Sequence, residues 1–247
     1  MPFFSELPNG RAAAYHDNSC HGEDVYLTRE LPHHIALDAV LDGATARGGA
    51  HASNYVAEVL QGATIESVEA LTTLLEMTNS QLFQRGRGRF FLTTASVALK
   101  IGPTLHVVWV GDSPVFLIRG RDVVPLTITG KGHTFLGIAN ALGRQATLSC
   151  KTTRMHLRPG DRLVLATDGL IENVAPSELV PLLAEASSPE EAVAALRQLL
   201  CQKKRWNRGR VDEHSGFRRD DATAVIRYIG ISSWREAAGQ SENSPAI

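Results

Sequence analysis

Short apolar runs that stop abruptly at an aspartate recur along this chain of 247 residues. Residues 35–41 give way to Asp42-Gly43, residues 105–110 to Gly111-Asp112, and residues 163–166 to Thr167-Asp168-Gly169; Asp220-Asp221 stand immediately before the apolar run 222–229. Runs this short and this rich in β-branched residues read as buried strands. Four carboxylates therefore lie at strand ends, where one edge of a sheet can bring them together. Gathered carboxylates repel one another, and each costs free energy to desolvate. A divalent cation removes that cost. A donor set made only of oxygen suits Mg²⁺, Mn²⁺ or Ca²⁺ rather than zinc, and a glycine after the aspartate leaves a backbone carbonyl open as a further ligand. Asp-Gly is also an ordinary turn dipeptide, because both residues tolerate tight geometry, so at any one of these places a plain turn is the alternative.

Between the strands the apolar positions change to helical spacing. Val56, Val59 and Leu60, then Val68, Leu71, Leu74 and Leu75, predict two helices within residues 50–83, with Thr64 as N-cap of the second and Glu66 in its first turn. Two more are expected at Pro176–Glu185 and at 189–201, the last capped by Ser188 with Pro189 at its first position. Residues 90–99 read as a further strand. Residues 105–110 and 115–118, joined by Gly111-Asp112-Ser113-Pro114, read as an antiparallel hairpin. This order of elements predicts an α+β fold of antiparallel sheets covered by helices. One domain over 1–231 is expected, followed by a polar, disordered tail at 232–247.

Composition removes several functions. Lys and Arg total 25 against 26 Asp and Glu, a formal charge of −1, which lacks the basic excess of a nucleic-acid binder. Cys20, Cys150 and Cys201 are odd in number and widely scattered, against a disulfide framework or a structural zinc site. No apolar run approaches about 18 residues, and the start of the chain lacks the pattern of a secretory signal, so no membrane partner and a cytoplasmic location are expected.

The blocks Gly22-Glu23-Asp24, Leu41-Asp42-Gly43, Thr93-Thr94-Ala95, Val110-Gly111-Asp112-Ser113, Ala141-Leu142-Gly143, residues 160–169 from Gly160-Asp161 to Thr167-Asp168-Gly169, and Asp220-Asp221-Ala222-Thr223 follow one another in this order. In order and in neighbours they resemble the metal-dependent protein phosphatases, the type-2C Ser/Thr phosphatases, and in particular compact bacterial members of that family. The resemblance runs from about His16 to Tyr228. It implies a four-layer α/β/β/α sandwich of two antiparallel sheets flanked by helices, and a phosphoprotein phosphatase that hydrolyses phosphomonoesters with a metal-bridged hydroxide. By resemblance, Asp42 bridges two Mn²⁺ or Mg²⁺ ions, the Gly43 carbonyl joins one of them, Glu23 belongs to the second metal, and Asp168 and Asp220 complete the first. Asp112 is similar to the ligand of a weaker third ion that Asp168 shares. Asp24, Asp221 and Glu172 stand behind these ligands. The implied partners are a phosphorylated protein and a cognate Ser/Thr kinase or its targets, with the phosphatase acting as a monomer.

Two departures bear on this. The family's phosphate-clamping arginine, four residues before the Glu, is Ser19 here, and its general-acid histidine falls at Ala44. A guanidinium fork binds phosphate bidentately and a serine cannot replace it. Arg85, Arg87 and Arg89, or the basic stretch with Lys203, Lys204, Arg205, Arg208 and Arg210, are the candidates to supply that charge. A pseudophosphatase, a binding module of the same fold with little turnover, is the alternative. A Gly-Asp-Ser esterase with Ser113 as nucleophile is a third reading, opposed by the absence of Asp-x-x-His after Ser113. His21, His33, His34 and His51 read as surface or packing residues.

Overall fold

The structure is a computed structural model and describes residues 9–128, 133–134, 137–138, 140–148, 150–208 and 217–230. The tail at 232–247, Arg210 and much of the stretch between Thr127 and Ala141 lie outside the described residues. In chain order the elements are β1 (Arg11–Asp17), β2 (Asp24–Leu31), β3 (Ile35–Asp42), α1 (Gly49–Gly62), α2 (Val68–Gly86), β4 (Ala95–Ile101), β5 (Thr104–Val110), β6 (Val115–Arg119), β7 (Asp122–Pro125), β8 (His133–Thr134), β9 (Gly137–Ile138), β10 (Lys151–His156), β11 (Arg162–Ala166), α3 (Asp168–Ile171), α4 (Pro176–Glu185), α5 (Pro189–Arg208) and β12 (Ala222–Tyr228). One antiparallel sheet has the order β1-β12-β11-β6-β7 and the other β10-β5-β4-β3-β2, with β8 and β9 as a separate two-stranded ribbon.

Alternation along the strands builds three apolar layers. In β3, Ile35, Leu37, Ala39 and Leu41 face α1 and α2 with Val56, Leu60, Leu71 and Leu75. Val40 points the other way, into the space between the sheets, with Ala98, Val107, Trp109, Leu163, Leu165 and Val225. On the far side Val164, Ala166, Ala224 and Ile226 meet Leu179, Leu183, Leu196 and Leu200 of α4 and α5. Central strands are covered on both faces, which is why they read as continuous apolar runs rather than alternating ones. The result is the expected α/β/β/α sandwich.

Four local expectations are corrected. Residues 105–110 and 115–118 do not pair. β5 already has β4 on one side and β10 on the other, so no edge is left, and the chain crosses at Gly111-Asp112-Ser113-Pro114 to the opposite sheet, where β6 pairs with β11 and β7. The crossover is tied to β4: Ser96 Oγ donates to the Ser113 carbonyl at 2.6 Å, and the Thr94 and Ser113 hydroxyls bond at 2.8 Å. The strand expected at 90–99 begins only at Ala95, because residues 91–94 turn toward the segment after Asp42. The second helix starts at Val68, capped by Ser67, whose Oγ accepts from the Ala70 N–H at 3.1 Å; Thr64 and Glu66 precede it, and Glu69 occupies the first turn. The last helix runs past 201 to Arg208, with Ser188 Oγ accepting from the Glu191 N–H at 3.2 Å. β1 and the edge strand β2 carry too few apolar residues in sequence to be read as strands.

A polar network lies between the sheets. Arg227 is 1% exposed and grips Asp38 with two bonds, from Nε at 2.6 Å and Nη2 at 2.9 Å. Its Nη1 reaches Glu30 at 2.8 Å and the Asn9 carbonyl at 3.2 Å. Burial works against the guanidinium charge, but Asp38 and Glu30 hold it above its usual pKa. Lys100, also buried, donates to Asn9 Oδ1 at 3.0 Å. Burial, then the charge of Arg227, pushes the Lys100 ammonium down to about 8, against an opposing pull from Glu30. The folded pKa lies below the unfolded value of 10.5, so the unfolded state binds more protons between those limits and stability rises with pH across that window. Lys100→Met is therefore expected to be more stable than wild type at pH 7 by about 1–2 kcal/mol, with the advantage shrinking by pH 10. Urea titrations of both proteins at the two pH values check this, and a constant difference would refute it. Among the described residues no helix is long and apolar enough to cross a membrane.

Candidate metal centre

β3 delivers Asp42 to one end of the sandwich. Its N–H donates to Thr94 Oγ1 at 3.1 Å, while its carbonyl accepts from the Thr94 N–H at 2.8 Å and from Thr93 Oγ1 at 2.9 Å. The Thr93-Thr94 block is thus a backbone clamp on Asp42. Gly43 follows because the chain is crowded there: a Cβ on it would sit 2.5 Å from the Gly49 carbonyl carbon and 2.8 Å from the Glu23 oxygen. Asp24 lies directly across from Asp42 in the β2–β3 register. Its buried Oδ2 accepts from Thr167 and Thr223, each at 2.8 Å, and Asn18 bonds both its N–H and its carbonyl.

From the other sheet, β11 ends at Ala166 and α3 begins at Asp168. The turn is pinned by the Thr167 N–H on the Thr223 carbonyl at 3.0 Å, and Gly169 passes so close to Asp221 that a Cβ would meet its carbonyl oxygen at 2.0 Å. Asp220 and Asp221 enter β12 with different tasks. Asp220 Oδ1 is 3.2 Å from His21 Nδ1. Asp221 accepts the N–H groups of Cys20 and His21, both at 3.0 Å, and of Glu23 at 2.9 Å, so it shapes the loop that presents Glu23. Glu23 Oε2 itself accepts from Thr45 at 2.7 Å. Asp112 sits in the crossover between the sheets.

The electrostatics show which of these groups converge. Burial, followed by the charges of Asp24, Asp168, Asp112 and Asp220, holds the Asp42 carboxyl well above the usual carboxylate range. Burial and then Asp112, Asp220 and Glu172 push Asp168 up to about 6. Asp24 is raised to about 7, mainly by burial, against the lowering effect of the two threonine hydroxyls. Asp221 is the contrast: burial would raise it, but backbone N–H groups hold it below its usual value. Like charges keep such groups from closing on one another unaided, and among the described residues no three acidic, His or Cys side chains are already drawn into a ligand shell. The donor chemistry nonetheless fits a hard divalent cation: five carboxylates, an adjacent backbone carbonyl at Gly43, and, among the described residues, no Lys or Arg hydrogen-bonded to any of the five.

Glu172 lies behind Asp168 and forms an ion pair with Arg218. Arg85, Arg87 and Arg89 lie beyond the 43–48 loop, around the end of α2, and not among the carboxylates. Lys203 and Lys204, offered above as phosphate binders, are helical and paired with Glu178 and Asp17. Ser19 is exposed, its N–H on Asp17 at 3.2 Å. Ser113 is fully buried against Thr94, which removes the esterase reading because a nucleophile must be reachable. His21 is not a bystander, since it packs on Asp220. Thr167, Thr223 and Asn18, which hold Asp24, went unassigned in the sequence; the first two stand inside quoted blocks, and only their position there could have drawn notice.

The sandwich and the carboxylates at its end define a type-2C protein phosphatase fold. The description "Crystal structure of bacterial serine phosphatase" belongs to a solved structure that superposes with a TM-score of 0.73 over 89% of this chain and 98% of that one, at 19% identity. Serine/threonine phosphatase Stp1 from Staphylococcus aureus matches with a TM-score of 0.73 at 21% identity, over 89% of this chain and 95% of its own. The catalytic domain of serine threonine protein phosphatase PstP, in complex with two manganese ions, gives 0.67 at 22% identity over 87% and 96%. "Probable protein phosphatase 2C 62" of Arabidopsis thaliana is 26% identical over 156 residues, 57% of this chain, which spans 22% of that protein's length. The family model for Stage II sporulation protein E (SpoIIE) matches residues 43–228. The chain belongs to the SpoIIE family.

Proposed function

We propose that the chain is a phosphoprotein phosphatase that hydrolyses phosphoserine and phosphothreonine esters with two Mn²⁺ or Mg²⁺ ions. Asp42, the Gly43 carbonyl, Glu23, Asp168 and Asp220 hold the pair, and Asp112 with Asp168 holds a weaker third ion. The observation that carries this reading is the gathering of carboxylates at one end of the sandwich: beyond burial, the charges of Asp24, Asp168, Asp112 and Asp220 raise Asp42, and those of Asp112 and Asp220 raise Asp168. When bound, such ions acidify a water and neutralise the phosphoryl oxygens. The chain supplies position. The Thr93-Thr94 clamp fixes Asp42, the two threonine hydroxyls hold Asp24 across from Asp42, and Asp221 sets the loop that carries Glu23. The partners we propose are a phosphorylated protein and the Ser/Thr kinase that modifies it.

A second reading, a pseudophosphatase, is favoured by one observation: Ser19 stands where a guanidinium would clamp the phosphate, and the nearby Lys204 is engaged with Asp17. Two measurements separate the readings. Mn²⁺ added to the metal-free protein at about 100 times its Kd is expected to raise Tm by about 5–10 °C, with Mn²⁺-dependent phosphate release from an aryl phosphate and a phosphothreonine peptide. A thermal shift without turnover would favour the pseudophosphatase, and the absence of both shift and turnover would overturn the two-metal phosphatase.

A further inference from the structure

Five arginines from three stretches of chain surround the turn after α2. Arg85 lies in the last turn of that helix, and Arg87 closes it in left-handed backbone at φ 51°. Arg47 donates to the Arg89 carbonyl at 3.3 Å, and Arg144 donates to the Gly88 carbonyl at 3.0 Å. Arg85 stacks over Tyr55 at 4.8 Å. Elsewhere some basic side chains are matched with carboxylates, Arg11 with Glu190, Arg119 with Asp161, Arg218 with Glu172, Arg227 with Asp38 and Glu30, while others, Arg29 and Arg162 among them, donate to backbone carbonyls. Among the described residues none of these five arginines has a carboxylate partner. Arg87 and Arg89 are exposed, and their side chains make no hydrogen bond there. Charge at a helix C-terminus accounts for Arg85 but not for the other four.

The cluster adjoins the carboxylate centre. The Ala44 N–H donates to the Leu92 carbonyl at 2.9 Å and the Phe91 N–H to the Arg47 carbonyl at 2.5 Å, so the strip that follows Asp42 and Gly43 runs beside the arginine turn. Arg47 is five residues from Asp42, which keeps their Cα atoms within about 17 Å. An extended peptide covers that span in about five residues. A guanidinium group suits carboxylate recognition, and unpaired like charges favour an anionic partner.

We propose that this arginine cluster is a second anchor for the substrate, taking a run of Asp or Glu about three to six positions from the phosphorylated residue. The identity of the occupant rests on the phosphatase reading; the preference for an acidic segment does not. The test uses fluorescence anisotropy on the full chain with Mn²⁺ and two labelled peptides that carry a non-hydrolysable phosphonate in place of phosphothreonine. They differ only in Asp or Asn at the distal positions. Wild type is expected to bind the Asp peptide about fivefold or more tightly than the Asn peptide. Arg87→Asn/Arg89→Gln, which keeps a residue tolerant of positive φ at 87, should bring that ratio below about two, and Arg47→Gln should lower it independently. Equal binding of the two peptides by wild type, or an unchanged ratio in both variants, would overturn the proposal. Aryl phosphate turnover by wild type is measured in parallel. Its absence sinks the phosphatase reading alone, while the binding ratio still decides the arginine cluster.

Discussion

Replacing Asp42 by Asn is expected to lower Mn²⁺-dependent phosphate release by about 1000-fold or more, roughly 4 kcal/mol of barrier. The side chain sits where burial, and then four other carboxylates, raise its pKa, so an ion in their midst gains most from its charge. An amide of the same shape cannot supply that charge. The substitution also removes one of the mutually repelling groups, so the metal-free variant is expected to melt at or above the wild-type temperature. Its Thr93 and Thr94 contacts are to Asp42 backbone atoms and survive the change. The two signs together are diagnostic: activity and the Mn²⁺-induced rise in Tm disappear while the metal-free protein stays folded. A variant that keeps more than a tenth of wild-type turnover would remove Asp42 from the proposed centre.

The second large effect is on stability. Asp38→Ala is expected to cost about 3–5 kcal/mol, because it strands a buried guanidinium. Arg227 is 1% exposed, and Glu30, its remaining carboxylate partner, has a side chain 50% exposed. Removing the pair is a different matter. Asp38→Leu/Arg227→Met takes both charges out of the space between the sheets and should recover most of the loss. Chemical denaturation of the three proteins measures this, and a cost below about 1 kcal/mol for Asp38→Ala would refute it. Asp38 and Asp42 share one strand, yet Asp38 holds the sheets together while Asp42 carries the proposed chemistry.

Much of this was legible without coordinates, and the misses have a common origin. Pro176–Glu185 and the Ser188 cap were readable because helix signals are local. The Asp-Gly strand ends were readable because a buried apolar run that stops at a carboxylate is unusual. The supposed hairpin across Gly111-Asp112-Ser113-Pro114 failed because nothing within residues 105–118 records that β5 already has two neighbours. β1 was invisible because RAAAYHD gains its strand character only by pairing with β12. Lys203 and Lys204 looked like free charge because Glu178 and Asp17, which hold them, are 25 and 187 residues away.

The residue pattern by itself determined the kind of layers this chain forms and the oxygen-only character of its aspartates, since burial and donor chemistry belong to each short segment. Tertiary structure alone decided that Asp221 shapes a loop while Asp220 joins the carboxylates, that Asp24 is held by two threonines from the opposite sheet, and that five arginines meet at one turn without a carboxylate partner among the described residues. Those outcomes depend on which edges pair and which turns touch, and such contacts join residues up to about two hundred positions apart, beyond the reach of any local pattern.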